Sequence, residues 1–346
     1  MPRTRLIRRR VRRPLLALLA AAALLLGAGL APAGAAVAAP TPSAPDEGGS
    51  KQLRQALEAA AKGHIEATAR LDNSKRRQTA LSGQLKQLEL RLVELNSQVG
   101  EVAAQSYRLG RLTPVSALLA SSDPGSFLQR AAELDVMAQR DSKRLHALTE
   151  AKTEAAQAKL AIDAEVREQQ KQLAVLAKKK RDAEIALAKV SSGSSSGFSG
   201  GSAAAKPAPR NADGSWPSES CSVDDPTPAD GCITPRTLHM LQQAKAAGYK
   251  RYASCHRSGG GGEHPKGRAC DFSAASGGFE NVSATGGDKA YGDSLASYLK
   301  NNASKLGVMY VIWYRQIWMP NTGWRSYSGG GSPAADHTNH VHVSMY

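Results

Sequence analysis

Three of the chain's eight histidines fall between positions 337 and 342, in the run DHTNHVHVSMY: His337, His340 and His342. Within it, HVHVSM alternates polar and apolar residues, the period of a strand with one buried face. On such a strand His340 and His342 project to one side while Val341 and Val343 point to the other. A second group lies upstream in GEHPKGRACDF, where His264 stands seven residues before Asp271. Glycines at 259–262 make the approach to His264 a loop. The stretch 268–272 reads as a short strand with Ala269 and Asp271 on one face. Imidazoles and a carboxylate on rigid strands are metal ligands, and zinc is the natural occupant of such a set. A catalytic zinc takes three protein ligands and leaves a fourth position for water, and His264, Asp271 and His342 can supply the three. His340 then stands beside the metal as proton shuttle or hydrogen-bonding partner. A metal so held lowers the pKa of its water and polarises a carbonyl, which is hydrolytic chemistry.

These residues need a scaffold, and the composition divides the chain into parts. Seven arginines before position 14, an apolar run from Leu15 to Leu30 and small-residue sites such as Ala36-Val37-Ala38 describe a cleaved secretory leader over 1–39. The 16-residue apolar run is short for a membrane span, which needs roughly 20 residues. The pair Arg12-Arg13 leaves Sec and twin-arginine export both open. Residues 40–50 are expected to be disordered. All four cysteines (Cys221, Cys232, Cys255 and Cys270) lie in the C-terminal third, and an even number in an exported chain reads as two disulfides. Three pairings are open; loop length favours Cys221–Cys232 and Cys255–Cys270. Bridged cysteines exclude a thiol nucleophile.

Residues 51–190 are rich in Ala, Leu, Gln, Glu, Lys and Arg. Leu81, Leu85, Leu88, Leu92, Leu95, Val99 and Val102 recur in steps of four and three, a coiled-coil seam that runs back through Leu71, Ala67, His64, Ala60, Leu57 and Leu53. A second seam reads Leu145, Leu148, Ala155, Ile162, Val166, Leu173 and Leu176, with Asp141, Lys152 and Lys159 in frame. Gly110, Pro114 and Asp123-Pro124-Gly125 interrupt the helix between them, so the two arms are expected to fold back as an antiparallel hairpin. Residues 191–215 have the Ser/Gly/Ala/Pro composition of a flexible linker. From 216 to 346 the chain carries all four tryptophans and all four cysteines, enough for one globular domain. The expected fold is therefore α+β: a helical hairpin, a linker, and a small domain whose antiparallel sheet carries the zinc site.

The spacing H-x(6)-D followed far downstream by H-x-H resembles the superfamily of D-Ala-D-Ala metallopeptidases, lysostaphin-type enzymes and hedgehog-like domains. HPKGRACD is similar to their H-x-x-G-x-A-x-D pattern, with Gly267 and Ala269 in place. HTNHVHVS looks like the murein endopeptidase variant, in which extra histidines precede the last ligand by two and five residues, here His340 and His337. The resemblance implies Zn²⁺ on His264, Asp271 and His342, and peptidoglycan peptides as substrate. One departure stands out: the D-Ala-D-Ala branch carries a glutamate three residues before the final ligand, and this chain has Asn339. An amide cannot accept water's proton, which points to His340 as the base, with His337 or Asp336 as substitutes. Arg257 is a candidate clamp for a substrate carboxylate or oxyanion, with a structural salt bridge as its alternative. Trp318 or Trp324 is a candidate for lining a substrate groove.

The N-terminal half, in particular LLASSDPGSFLQRAAELD, resembles the coiled coils of actinobacterial wall hydrolases, which implies docking on a division-associated membrane complex. Without the seven leader arginines the balance is 38 basic against 30 acidic residues, suited to anionic surfaces outside the cell. Export makes nucleic acid a poor partner. The expected activity is a secreted, wall-associated zinc metallopeptidase that cuts wall-peptide amide bonds and is positioned or regulated by its coiled coil. The alternative is a non-catalytic wall-binding or adaptor protein with a degenerate metal site.

Overall fold

The computed structural model describes residues 49–110, 116, 118–120, 123–190, 193 and 195–346. The leader expected at 1–39, the tract at 40–48 and Pro114 lie outside the described residues. Among the described residues no helix is long and apolar enough to cross a membrane.

Helix α1 (Lys51–Leu109) starts at Ser50, whose side chain accepts a hydrogen bond from the Leu53 N–H. Helix α2 (Pro124–Ala188) starts at Asp123, which caps Ser126 N, with Pro124 in the first turn, where its missing N–H costs nothing. The Asp-Pro-Gly turn therefore marks the start of the second arm. The arms run antiparallel: Gln169 Nε2 donates to Gln78 Oε1 at 2.8 Å, and Lys159 stands 3.8 Å from Glu89.

In α1 the buried stripe follows the heptad frame, through Leu53, Leu57, Ala60, Ala67 and Leu71, with Ser74 continuing it. In α2 the frame needs correction. Leu148 and Ala155 are buried as expected, but Ala151, Ala158 and Gln172 complete the stripe in place of Lys152, Lys159 and Leu173. Leu145 and Leu173 are more than half exposed. Packing decides this. Small alanines admit the partner helix closely, and the neighbouring lysines keep their charge in water at no loss of apolar contact. Ser74 is tolerated inside because its hydroxyl donates to Glu165 Oε2 at 2.7 Å.

Residues 195–215 contain no helix or strand, as their composition implies. They are nevertheless held against the C-terminal domain. Ala205 N donates to Asn302 Oδ1 at 2.8 Å, Ala208 N donates to Lys305 O at 2.8 Å, and Phe198 packs edge-on to Trp324 at 5.0 Å. The few apolar residues in the tract, Phe198, Ala205 and Ala208, supply the contacts.

The domain opens with a two-stranded ribbon, β1 (Val223–Asp224) and β2 (Cys232–Ile233), followed by α3 (Pro235–Ala246). Thr234 caps that helix, its hydroxyl accepting from Thr237 N. Then come β3 (Ala253–Ser254), a 3₁₀ turn (His264–Lys266), β4 (Ala269–Ser273), α4 (Gly286–Asn301) and α5 (Ala303–Leu306). Strands β5 (Val308–Trp313), β6 (Gln316–Met319), β7 (Gly323–Ser326) and β8 (His340–Met345) complete it. The six-stranded sheet has the order β3-β4-β8-β5-β6-β7, every neighbouring pair antiparallel. Val341, Val343 and Met345 point to the face covered by α3 and α4, in one core with Phe272, Leu295 and Trp313. Gly292 lets α4 lie close there, since a Cβ would stand 2.2 Å from the Trp313 ring. The opposite face carries the histidines. Both expected disulfides, Cys221–Cys232 and Cys255–Cys270, are formed.

Candidate metal centre

Strands β4 and β8 are register-matched so that Asp271 lies opposite His342 and Ser273 opposite His340. Cross-strand partners share a face, so the alternation of HVHVSM puts both imidazoles beside the carboxylate. His264 arrives from the 3₁₀ turn, which Gly267 ends in a left-handed conformation (φ 67°). A Cβ at that position would stand 2.5 Å from Cys221 Sγ, which accounts for the glycine in HPKGRACD.

The ligating atoms of His264, Asp271 and His342 all lie within 4.8 Å of one another, and the three residues are buried. His264 Nε2 is 3.2 Å from Asp271 Oδ2, and His342 Nδ1 is 2.8 Å from Asp271 Oδ1. The outer nitrogens are also fixed. His264 Nδ1–H donates to the Cys255 carbonyl at 2.5 Å, which leaves the lone pair on Nε2, facing inward. His342 Nε2 meets Ser344 Oγ at 2.8 Å, and a hydroxyl serves either tautomer because it both donates and accepts. Buried imidazoles and a carboxylate with inward lone pairs can hold a metal ion.

Electrostatics bind the cluster. Burial alone would raise the Asp271 carboxyl, but the charge of His264 beside it and the hydrogen bonds from His264 and His342 outweigh that and hold it well below the usual range. Burial would lower His264, yet Asp271 raises it on balance. His340 is pushed down to about 4 by burial, with His342 and His264 adding to the effect against Asp271. His340 is therefore neutral.

Sequence reasoning assigned no structural part to Asn339. Its amide donates to Glu280 O, and His340 Nδ1–H donates to its Oδ1 at 2.7 Å. That bond turns His340 Nε2 toward the cluster, 3.7 Å from Asp271 Oδ1, where it is buried with no hydrogen-bond partner among the described residues. His337 lies beside it, the ring centroids 4.7 Å apart, and its Nε2 is likewise buried without a partner. His337 also has φ 53°, an uncommon conformation for a side-chain-bearing residue, of the kind that collects at functional sites. The two-residue β5–β6 turn enforces it: Tyr314 N donates to His337 O, and Arg315 N donates to Asp336 O.

Asp336 does not face the cluster. Its carboxylate accepts from Gly329 N, Gly331 N and Arg315 Nε, so it holds the loop and is no substitute base. Arg257 is half-buried, close enough for its charge to weigh against protonation of His264 and His340. Trp324 packs against Gly197 and Phe198, and Trp318 lines a groove of about 320 Å³ with His64 and Trp216, so neither reaches the metal cluster. Glu263 was not legible as a site neighbour. It is fully buried beside His264 and bonded to Lys266 and Arg268, and burial pushes its carboxyl up to about 7 against those two cations.

A family model described as VldE, C-terminal domain, matches residues 229–338. The match takes in His264, Asp271 and His337 and stops short of β8. The helical half of the chain lies outside it. No curated protein matches the chain.

Proposed function

We propose that the chain is an exported, wall-associated zinc peptidase that hydrolyses amide bonds in the peptide part of peptidoglycan. The observation that carries the reading is the convergence of His264, Asp271 and His342 with two unpaired imidazole nitrogens beside them. Zinc bound to those three residues would acidify a water and polarise the scissile carbonyl. His340 is the group suited to take a proton: it is neutral, and Asn339 holds its Nδ1–H so that the lone pair on Nε2 faces the cluster. Here the residue in the glutamate position orients the base in place of being the base. His337, whose ring is tilted against His340, is the second proton carrier. Arg257 supplies the positive charge for a substrate carboxylate or a developing oxyanion. Both disulfides fit the export that the leader predicts. The resemblance in HPKGRACD and HTNHVHVS supplies the substrate class.

The test is incubation of the purified chain with peptidoglycan and with short wall peptides, with and without chelator. New free amines that disappear on chelation and in His340→Ala support the peptidase. Absence of cleavage across these substrates in the zinc-loaded chain overturns it in favour of a binding or adaptor role.

A further inference from the structure

The base of the helical hairpin lies on the same face of the sheet as the metal cluster. Tyr310 is paired with Ser344 and Ile312 with His342, so these side chains share a face with the histidines. Tyr310 stacks on the His342 ring with centroids 5.7 Å apart and planes 20° from parallel. On the other side, Tyr310, Ile312 and Tyr327 are buried in one apolar cluster with Leu53, Leu57 and Ala61 of α1.

The start of α1 also spans the two loops that deliver the site. Gly49 N donates to Gly329 O, in the loop that leads to His337. Arg54 lies against Gly261, in the loop that leads to His264, so close that a Cβ on Gly261 would stand 2.9 Å from its Nη2. One turn on, Glu58 accepts hydrogen bonds from Lys266 at 3.1 Å and Arg268 at 2.9 Å, the residues on either side of Gly267. Beneath this segment every member of the cluster is at most 2 % exposed. A polypeptide substrate needs an open path to the ligands, and this segment packs on the sheet face that carries them.

We infer that residues 49–61 of α1 form a plug over the metal cleft, and that this plug must lift before a wall peptide can reach the site. The inference rests on the peptidase reading for its consequence, though not for its geometry. The fastening consists of Leu53, Leu57, Ala60 and Ala61 in the apolar cluster, one backbone bond across to Gly329, and a partly exposed ion-pair latch at Glu58, and it is this latch, a kind of contact that is individually weak in water, that makes the cover releasable.

The test uses the full chain with Glu58→Arg, which sets a cation against Lys266 and Arg268, and with Glu58→Gln, which removes the charge without adding one. Glu58 does not belong to the site. Two quantities are read in each protein: the rate of carbethoxylation of the site histidines, mapped by peptide mass, and the rate of free-amine release from peptidoglycan. Circular dichroism melts establish that each variant is folded. Expected are at least tenfold faster histidine modification and at least tenfold faster hydrolysis in Glu58→Arg, with Glu58→Gln between it and the parent. Rates within twofold of the parent in both folded variants overturn the plug, whatever the parent's own activity. Faster modification with no hydrolysis in any form supports the plug and counts against the peptidase reading.

Discussion

The Nδ1–H of His264 donates to the carbonyl oxygen of Cys255, and Cys255 is bridged to Cys270, the residue next to Asp271. One disulfide thus ties together the backbone that orients the first ligand and the strand that carries the second. Partners of this kind in other metal sites are worth about 10–100-fold in affinity. Replacing both cysteines with alanine should weaken zinc binding by about that factor and cost about 2–4 kcal/mol of stability. Competition with a chromogenic chelator and thermal melts check the two parts. Unchanged affinity would mean that the turn orients His264 without the bridge.

His340→Ala should keep the metal and lose hydrolysis by about 10²–10⁴-fold, the usual contribution of a positioned acid–base group. Asn339→Ala should fall between that variant and the parent, because the imidazole remains and only its orientation loosens. The pH profile of kcat/KM separates the cases: Asn339→Ala should keep the parent's profile at lower height, whereas His340→Ala should lose the acid-side limb that protonation of the base produces.

Much of this site was readable because its signals are local. The alternation in HVHVSM specifies a face, and the spacing from His264 to Asp271 crosses one turn closed by Gly267. The second coiled-coil seam was only half readable. Lys152 and Ala151 differ by one position, and a heptad template tolerates either until the partner helix chooses the smaller side chain. The course of 195–215 depends on Phe198, Ala205 and Ala208 finding the domain surface, contacts that composition alone does not encode. The placement of Leu53 and Leu57 over Tyr310 and Ile312 joins residues about 250 apart, beyond any periodicity. Asn339 reads as a lost glutamate until the hydrogen bond to His340 is seen.

The corrected seam makes its own prediction. Leu148 is 8 % exposed and Leu145 is 54 % exposed. Leu148→Ala should therefore cost about 2–4 kcal/mol, and Leu145→Ala less than about 0.5 kcal/mol. Denaturant melts of the two variants decide between the frames, and equal losses would restore the frame drawn through Leu145.

Asp336 predicts an acid dependence. Burial alone would raise its carboxyl, but the N–H groups of Gly329 and Gly331 and the Arg315 guanidinium outweigh burial and hold it below the usual range. A group depressed in the folded state stabilises fully above its unfolded value of about 3.9, and that stability is lost as pH falls through the folded value. Asp336→Asn should therefore cost about 1–3 kcal/mol at neutral pH and almost nothing once the parent's carboxyl is protonated. Melting midpoints at neutral and strongly acidic pH measure the difference, and a cost that does not change with pH would contradict it.

The most direct test is a zinc titration of the chelator-stripped full chain by calorimetry, with the metal content of the product measured. One equivalent should bind. His264→Ala, Asp271→Asn and His342→Ala should each weaken binding by at least about a hundredfold, while His337→Ala and His340→Ala stay within about tenfold of the parent. A chain that takes up no zinc, or whose affinity is indifferent to the three ligand substitutions, would contradict the account.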